Sequence, residues 1–122
     1  MNQMDTPELK HRTFQFSLRI LNLIKALPQG AGMFRLGDQI FGSATSIGAN
    51  YRSALKAKSK KDFIHKIATV VEEADETCYW LELIIHGEIL PKEKVQDLLN
   101  EAHELTAIFA STLKTARQNL NS

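Results

Sequence analysis

The sequence has little of what usually announces chemistry. Among its 122 residues there is one cysteine, Cys78. A single thiol forms no internal disulfide, which fits a reducing compartment and excludes an oxidised framework. Its helical spacing with Ala74 and Leu81 predicts a core-facing, unreactive side chain. No apolar run approaches the ~20 residues that span a bilayer, so no membrane partner is expected. The opening stretch, MNQMDTPELKHRTFQF, has neither a long apolar core nor a small-residue cleavage site. It is not read as a signal peptide, and the cytoplasm is the expected home. Nowhere does the apolar/polar alternation of a strand compete with helical spacing.

Catalytic patterns are equally scarce. His11, His65, His86 and His103 fall on four separate stretches. Di-iron bundles use a Glu-x-x-His pair on each of two helices. EEADE holds acids without a histidine at that step, and EAHEL puts His103 two residues after Glu101. PQGAG follows no strand and lacks the Lys-Ser/Thr ending of a phosphate loop. The expectation is a protein with no metal, no cofactor and no catalysis.

What is present is helix. At 43% hydrophobic and 24% charged residues, the composition is that of a globular chain, here one domain over 1–122. Four long segments carry three- and four-residue apolar steps. The first, 6–27, opens with Thr6 as N-cap and Pro7 at the first helical position, and stops before Pro28, Gly30 and Gly32. It carries two apolar tracks, Phe14, Leu18, Leu21 and Phe16, Ile20, Leu23, Leu27, which is more than one bundle seam needs. The second, 33–56, aligns Leu36, Ile40, Ser43, Ile47, Tyr51 and Ala54. The third, 59–87, starts at SKKD, a capping box with Asp62 where Glu is usual, and continues on Phe63, Ile67, Val70, Ala74, Thr77, Leu81 and Ile84 to Gly87. The fourth, 91–119, repeats Val95, Leu98, Ala102, Leu105, Phe109, Leu113 and Ala116. Short connections between long helices predict an all-α, antiparallel up-down-up-down four-helix bundle. About five residues at the start and three or four at the finish are expected to fray.

Charge is segregated rather than excessive, for the formal net charge is +1. Arg52, Lys56, Lys58, Lys60, Lys61 and Lys66 stand against one acid, Asp62, whereas ten acids between Glu72 and Glu104 face two lysines. The six bases surround the turn between the second and third helices, so they gather at one end of the bundle. They are the candidate nucleic-acid-binding residues, able to neutralise backbone phosphates with little sequence reading. A lysine-rich turn can equally be a solvated helix end. On the second helix Gln39, Ser43, Ser46, Asn50 and Ser53 form a small polar strip, with Gly37, Gly42, Ala44, Gly48 and Ala49 thinning the rest. Close helix approach is one reason for such residues. A hydrogen-bonded polar cluster of Asn50, Glu73 and Thr77 is another.

SIGANYRSA, SKKDFIHKIA and EEADETCYWLELI together resemble the four-helix-bundle proteins first described from intervening sequences within bacterial large-subunit ribosomal RNA genes. Asn50, Asp62–Phe63, Glu73, Glu76–Thr77 and Trp80–Leu81 match in order and spacing. Ser53 stands where a glutamate is common. The resemblance implies a ring-like homopentamer. It also implies kinship with accessory variability proteins of diversity-generating retroelements, which bind nucleic acid and a reverse transcriptase through basic surfaces. Expected partners are therefore further copies of the chain and RNA or DNA. The alternative is a protein-interaction scaffold for an enzyme encoded nearby.

Overall fold

The carboxylate of Asp5 accepts the Glu8 N–H at 2.9 Å and starts the first helix, α1, Thr6–Lys25. Thr6 is thus inside the helix rather than its cap, and Pro7 is one place further in than expected. A carboxylate both accepts the free N–H and sits at the positive end of the helix dipole, so Asp5 outcompetes the neighbouring hydroxyl. The structure, a computed structural model, describes residues 5–120. Most of the expected fraying falls at 1–4 and 121–122, outside the described residues. Asp5 and Leu120 are placed, as a cap and as the last residue of a helix.

α1 stops two residues early because the Ala26 and Leu27 N–H groups turn to the Leu23 and Ile24 carbonyls, at 3.0 and 3.1 Å, just ahead of Pro28. The second helix, α2, Met33–Ala54, is entered through Gly32 at φ 81°, a left-handed conformation that glycine adopts without penalty. Lys56 lies beyond its end, in a turn closed by its N–H on the Ser53 carbonyl at 3.1 Å. The third, α3, Lys60–His86, is capped by Ser59 Oγ, which accepts the Asp62 N–H at 3.0 Å. Asp62 returns a contact, but to the Lys58 N–H at 3.3 Å rather than to Ser59. The fourth helix is α4, Lys92–Leu120.

The exit of α3 is a Schellman motif. Glu88 N–H reaches the Ile85 carbonyl at 3.1 Å and Ile89 N–H the Ile84 carbonyl at 3.0 Å. Gly87 remains right-handed, and the left-handed residue is Glu88, at φ 54°. Gly87 is small for a different reason: a Cβ there would meet the Leu83 carbonyl oxygen at 2.8 Å.

The four helices pack as a bundle in which α1 and α3 each touch both α2 and α4. Phe16, Ile20, Ile40, Ile47, Ile67, Leu81, Ile84, Leu105 and Phe109 are fully buried, each contributing about 1.5–3 kcal/mol of transfer free energy. The two tracks of α1 separate here. Phe16, Ile20 and Leu23 enter the core, whereas Phe14, Leu18 and Leu21 stay 49%, 41% and 36% exposed. The small residues of α2 also separate. A Cβ on Gly48 would lie 3.2 Å from Thr13 Oγ1, so close approach explains that glycine, while among the described residues a Cβ on Gly42 would meet no packing neighbour within 4 Å. Among the described residues no helix is long and apolar enough to cross a membrane.

Candidate nucleic-acid interface

Two turns of backbone concentrate the bases. α2 unwinds past Ala54 through the Leu55 and Ala57 N–H bonds to the Tyr51 and Ala54 carbonyls, and Ser59 restarts the chain as α3. Lys56, Lys58, Lys60 and Lys61 are exposed on this short connection and the first turn after it. None of the four makes an ion pair among the described residues. Lys60 and Lys61 also sit at the positive end of the α3 dipole, where cations are unfavourable. Asp62 offsets part of this. Its pKa is held below the ordinary value, first by the Lys58 N–H and then by Lys66.

The other two candidate bases have partners. Lys66 Nζ lies 3.3 Å from Asp62 Oδ2. The Arg52 guanidinium lies over the Phe14 ring, 5.7 Å from its centroid, so it shields part of the uncovered α1 track.

Sequence reasoning missed two cations. Ala116 and Asn119 of α4 line the same groove as Lys58, Lys60 and Phe63. The last turns of α4 therefore lie beside the α2–α3 turn, with exposed Lys114 and Arg117 on those turns. Their three-residue spacing was visible, but only packing reveals which end of the bundle they share.

The polar cluster is connected through a residue outside the expected trio. The Thr77 and Ser43 hydroxyls lie 3.0 Å apart in the core, and Thr77 Oγ1 is 2.8 Å from the Glu73 carbonyl. The Glu73 carboxylate is half-buried, and burial pushes its pKa up. A hydrogen bond with Ser46 opposes that shift, and the neighbouring Glu76 and Glu72 reinforce it. Asn50 turns back on its own helix, donating from Nδ2 to the Ser46 carbonyl at 2.9 Å. Ser46 thus joins Asn50 to Glu73, and Thr77 is tied separately to Ser43.

Elsewhere, Arg12 clasps Glu101 across α1 and α4 through Nε at 2.7 Å and an Nη at 2.6 Å, with Glu104 at 3.1 Å. Cys78 is buried, which pushes its thiol pKa up, and its Sγ lies 3.6 Å from His103 Nδ1 and 3.8 Å from Thr106 Oγ1. Among the described residues no group of three or more His, Cys, Asp or Glu side chains is placed to hold a metal ion. Tyr79 is 60% exposed and packs edge-on against Trp80, whose buried Nε1 has no hydrogen-bond partner among the described residues.

Residues 7–111 match the sequence model of the 23S rRNA-intervening sequence protein. The chain belongs to that family. This family member is also similar to a solved structure from Bacteroides thetaiotaomicron VPI-5482, a protein of unknown function from the S23 ribosomal protein family. The two chains are 40% identical, with a TM-score of 0.80 over 86% of this chain and 97% of the other. No curated protein matches this member of the family.

Proposed function

We propose that the chain is the non-catalytic subunit of an antiparallel-bundle ring, a homopentamer, whose lysine-bearing end binds nucleic acid. The observation that carries the reading is the gathering of Lys56, Lys58, Lys60 and Lys61 with Lys114 and Arg117 at one end, with no acid of α4's last turns among them. Placing cations at the α3 N-terminus lowers helix stability, and an anion seated there reverses the penalty. Phosphates are such anions, and repetition around a ring multiplies the contacts.

Three contacts support the antiparallel order: Gly48 against Thr13, Gly37 against Ile24 and Leu27, and Ser43 against Thr77. Exposed surface supports assembly. Phe14, Leu18, Leu21, Phe34 and Phe41 of α1 and α2 remain open, with Arg19, Lys25, Arg35 and Arg52 nearby in sequence. Tyr79 and Leu83 of α3 are open among Glu72, Asp75, Glu76 and Glu82. An apolar face with a basic border and a second with an acidic border complement each other between copies, the heterologous contact from which cyclic rings are built.

Two measurements test the reading. Light scattering should give a multiple of 13.7 kDa, and Leu18→Glu with Leu21→Glu should reduce it to the single-chain mass. Anisotropy of labelled RNA and DNA across a salt series should show binding that weakens steeply as salt rises. No binding of either at low salt overturns the nucleic-acid assignment and leaves a protein scaffold, which co-purification from the host would identify.

A further inference from the structure

The lysines border a groove. It has a volume of about 480 Å³ and lies between the α2–α3 turn and the last turns of α4. That volume falls within the ~300–1,000 Å³ usual for small-molecule sites. Its walls are mainly apolar, with Leu55, Ala57, Phe63 and Ala116 beside the Asn119 amide, and the exposed Lys58 and Lys60 also line it. Phe63 is half-buried, packed against the core. Ser59 Oγ accepts the Asp62 N–H that caps α3, and the Lys58 N–H is donated to Asp62. The exposed Lys58 and Lys60 are the cations that line this groove.

An apolar recess containing one aromatic ring, with cations at its lip, has the polarity of a nucleotide: a flat base inside and a phosphate outside. Paired bases are stacked within a duplex and cannot enter it, whereas an unpaired base can be splayed into such a recess. We infer that this groove receives one unpaired nucleotide of a single-stranded nucleic acid, its base against Phe63 and Leu55 and its phosphate between Lys58 and Lys60. The inference rests on the nucleic-acid reading above and adds a preference for single strands that the lysines alone do not supply.

The test uses the full chain, a short single-stranded RNA with 2-aminopurine at its centre, the same strand as DNA, and the matched duplexes. Ala116→Trp and Ala57→Trp each fill the groove while leaving every lysine in place; circular dichroism checks folding, and if one fails to fold the other carries the test. In the wild type, 2-aminopurine fluorescence should change on binding of either single strand, and single strands should bind about tenfold tighter than duplex, the effect of one base stacking on a ring. In the tryptophan variants the fluorescence change should vanish and single-strand affinity should fall to the duplex level, with duplex affinity unchanged. Equal affinities with unaltered fluorescence, or full single-strand preference in a folded tryptophan variant, overturn the inference while duplex binding leaves the basic-end reading intact. A changed particle mass in the tryptophan variants would make the groove a contact between copies and also overturn it. Failure of every nucleic acid to bind at low salt rejects the underlying reading as well.

Discussion

Thr77 of α3 and Ser43 of α2 place their hydroxyls 3.0 Å apart at two of the most buried polar positions of the bundle. Each also lies near a carbonyl of its own helix, Thr77 at 2.8 Å from Glu73 and Ser43 at 3.4 Å from Ile40. The bridge satisfies both groups where water does not reach. Thr77→Val keeps the shape but leaves Ser43 with only its long carbonyl contact, so it should destabilise by about 1–3 kcal/mol. The double variant Ser43→Ala with Thr77→Val removes both groups and should cost less than the sum of the single changes. Urea midpoints of the four proteins check this, and additive losses would mean that the bridge carries no coupling.

Glu88 offers a stabilising change. It occupies the left-handed position of the Schellman motif and is exposed. A non-glycine residue there carries a steric penalty of about 1–2 kcal/mol, part of which glycine returns through its freer unfolded chain. Glu88→Gly should therefore stabilise by about 0.5–1 kcal/mol, read as a higher urea midpoint with unchanged slope. Gly87→Ala should go the other way, because its Cβ meets the Leu83 carbonyl.

Glu73 makes stability depend on pH in a direction that can be worked out. Burial is the main cause of its raised pKa, and Ser46 from α2 with Glu72 and Glu76 from α3 are the groups that bear on it. A carboxyl group whose pKa is higher folded than unfolded contributes stability in full below the ordinary value of 4.5, and that contribution is lost as pH rises through the raised value. Glu73→Gln removes the titration. It should raise stability at pH 7 relative to wild type and flatten the pH profile just above 4.5, measured by thermal melts. Asp62 acts with the opposite sign: its pKa is lowered, so its contribution is present at neutral pH and lost on acidification.

The core was legible because helical periodicity is a property of the chain. Of the aligned positions read on α2, α3 and α4, only Phe63 and Ala116 are half-buried rather than buried, and both line the groove at the lysine end. Where two neighbouring residues compete for one role, the sequence does not decide: Asp5 rather than Thr6 caps α1, and Glu88 rather than Gly87 takes the left-handed turn. The candidate site was legible only where its residues are contiguous. The Lys56–Lys61 run announces itself, but Lys114 and Arg117 join it by packing of a helix more than fifty positions away. Ser46, outside the expected trio, links Asn50 to Glu73, because the Asn50 amide bonds the Ser46 carbonyl of its own helix.

Lys114 and Arg117 supply the sharpest separation of general charge from a located site. Removing one cation that neutralises a phosphate lowers the slope of log affinity against log salt by about 1. Lys114→Glu with Arg117→Glu should weaken RNA binding and reduce that slope by about 2, as should Lys58→Glu with Lys60→Glu. Lys92→Glu with Lys94→Glu makes the same change in net charge on the first turn of α4, away from the α2–α3 turn. If the basic end is the site, this control should keep the wild-type slope. Equal losses from all three pairs would show that binding follows total charge alone, and the lysine end would then have no special standing.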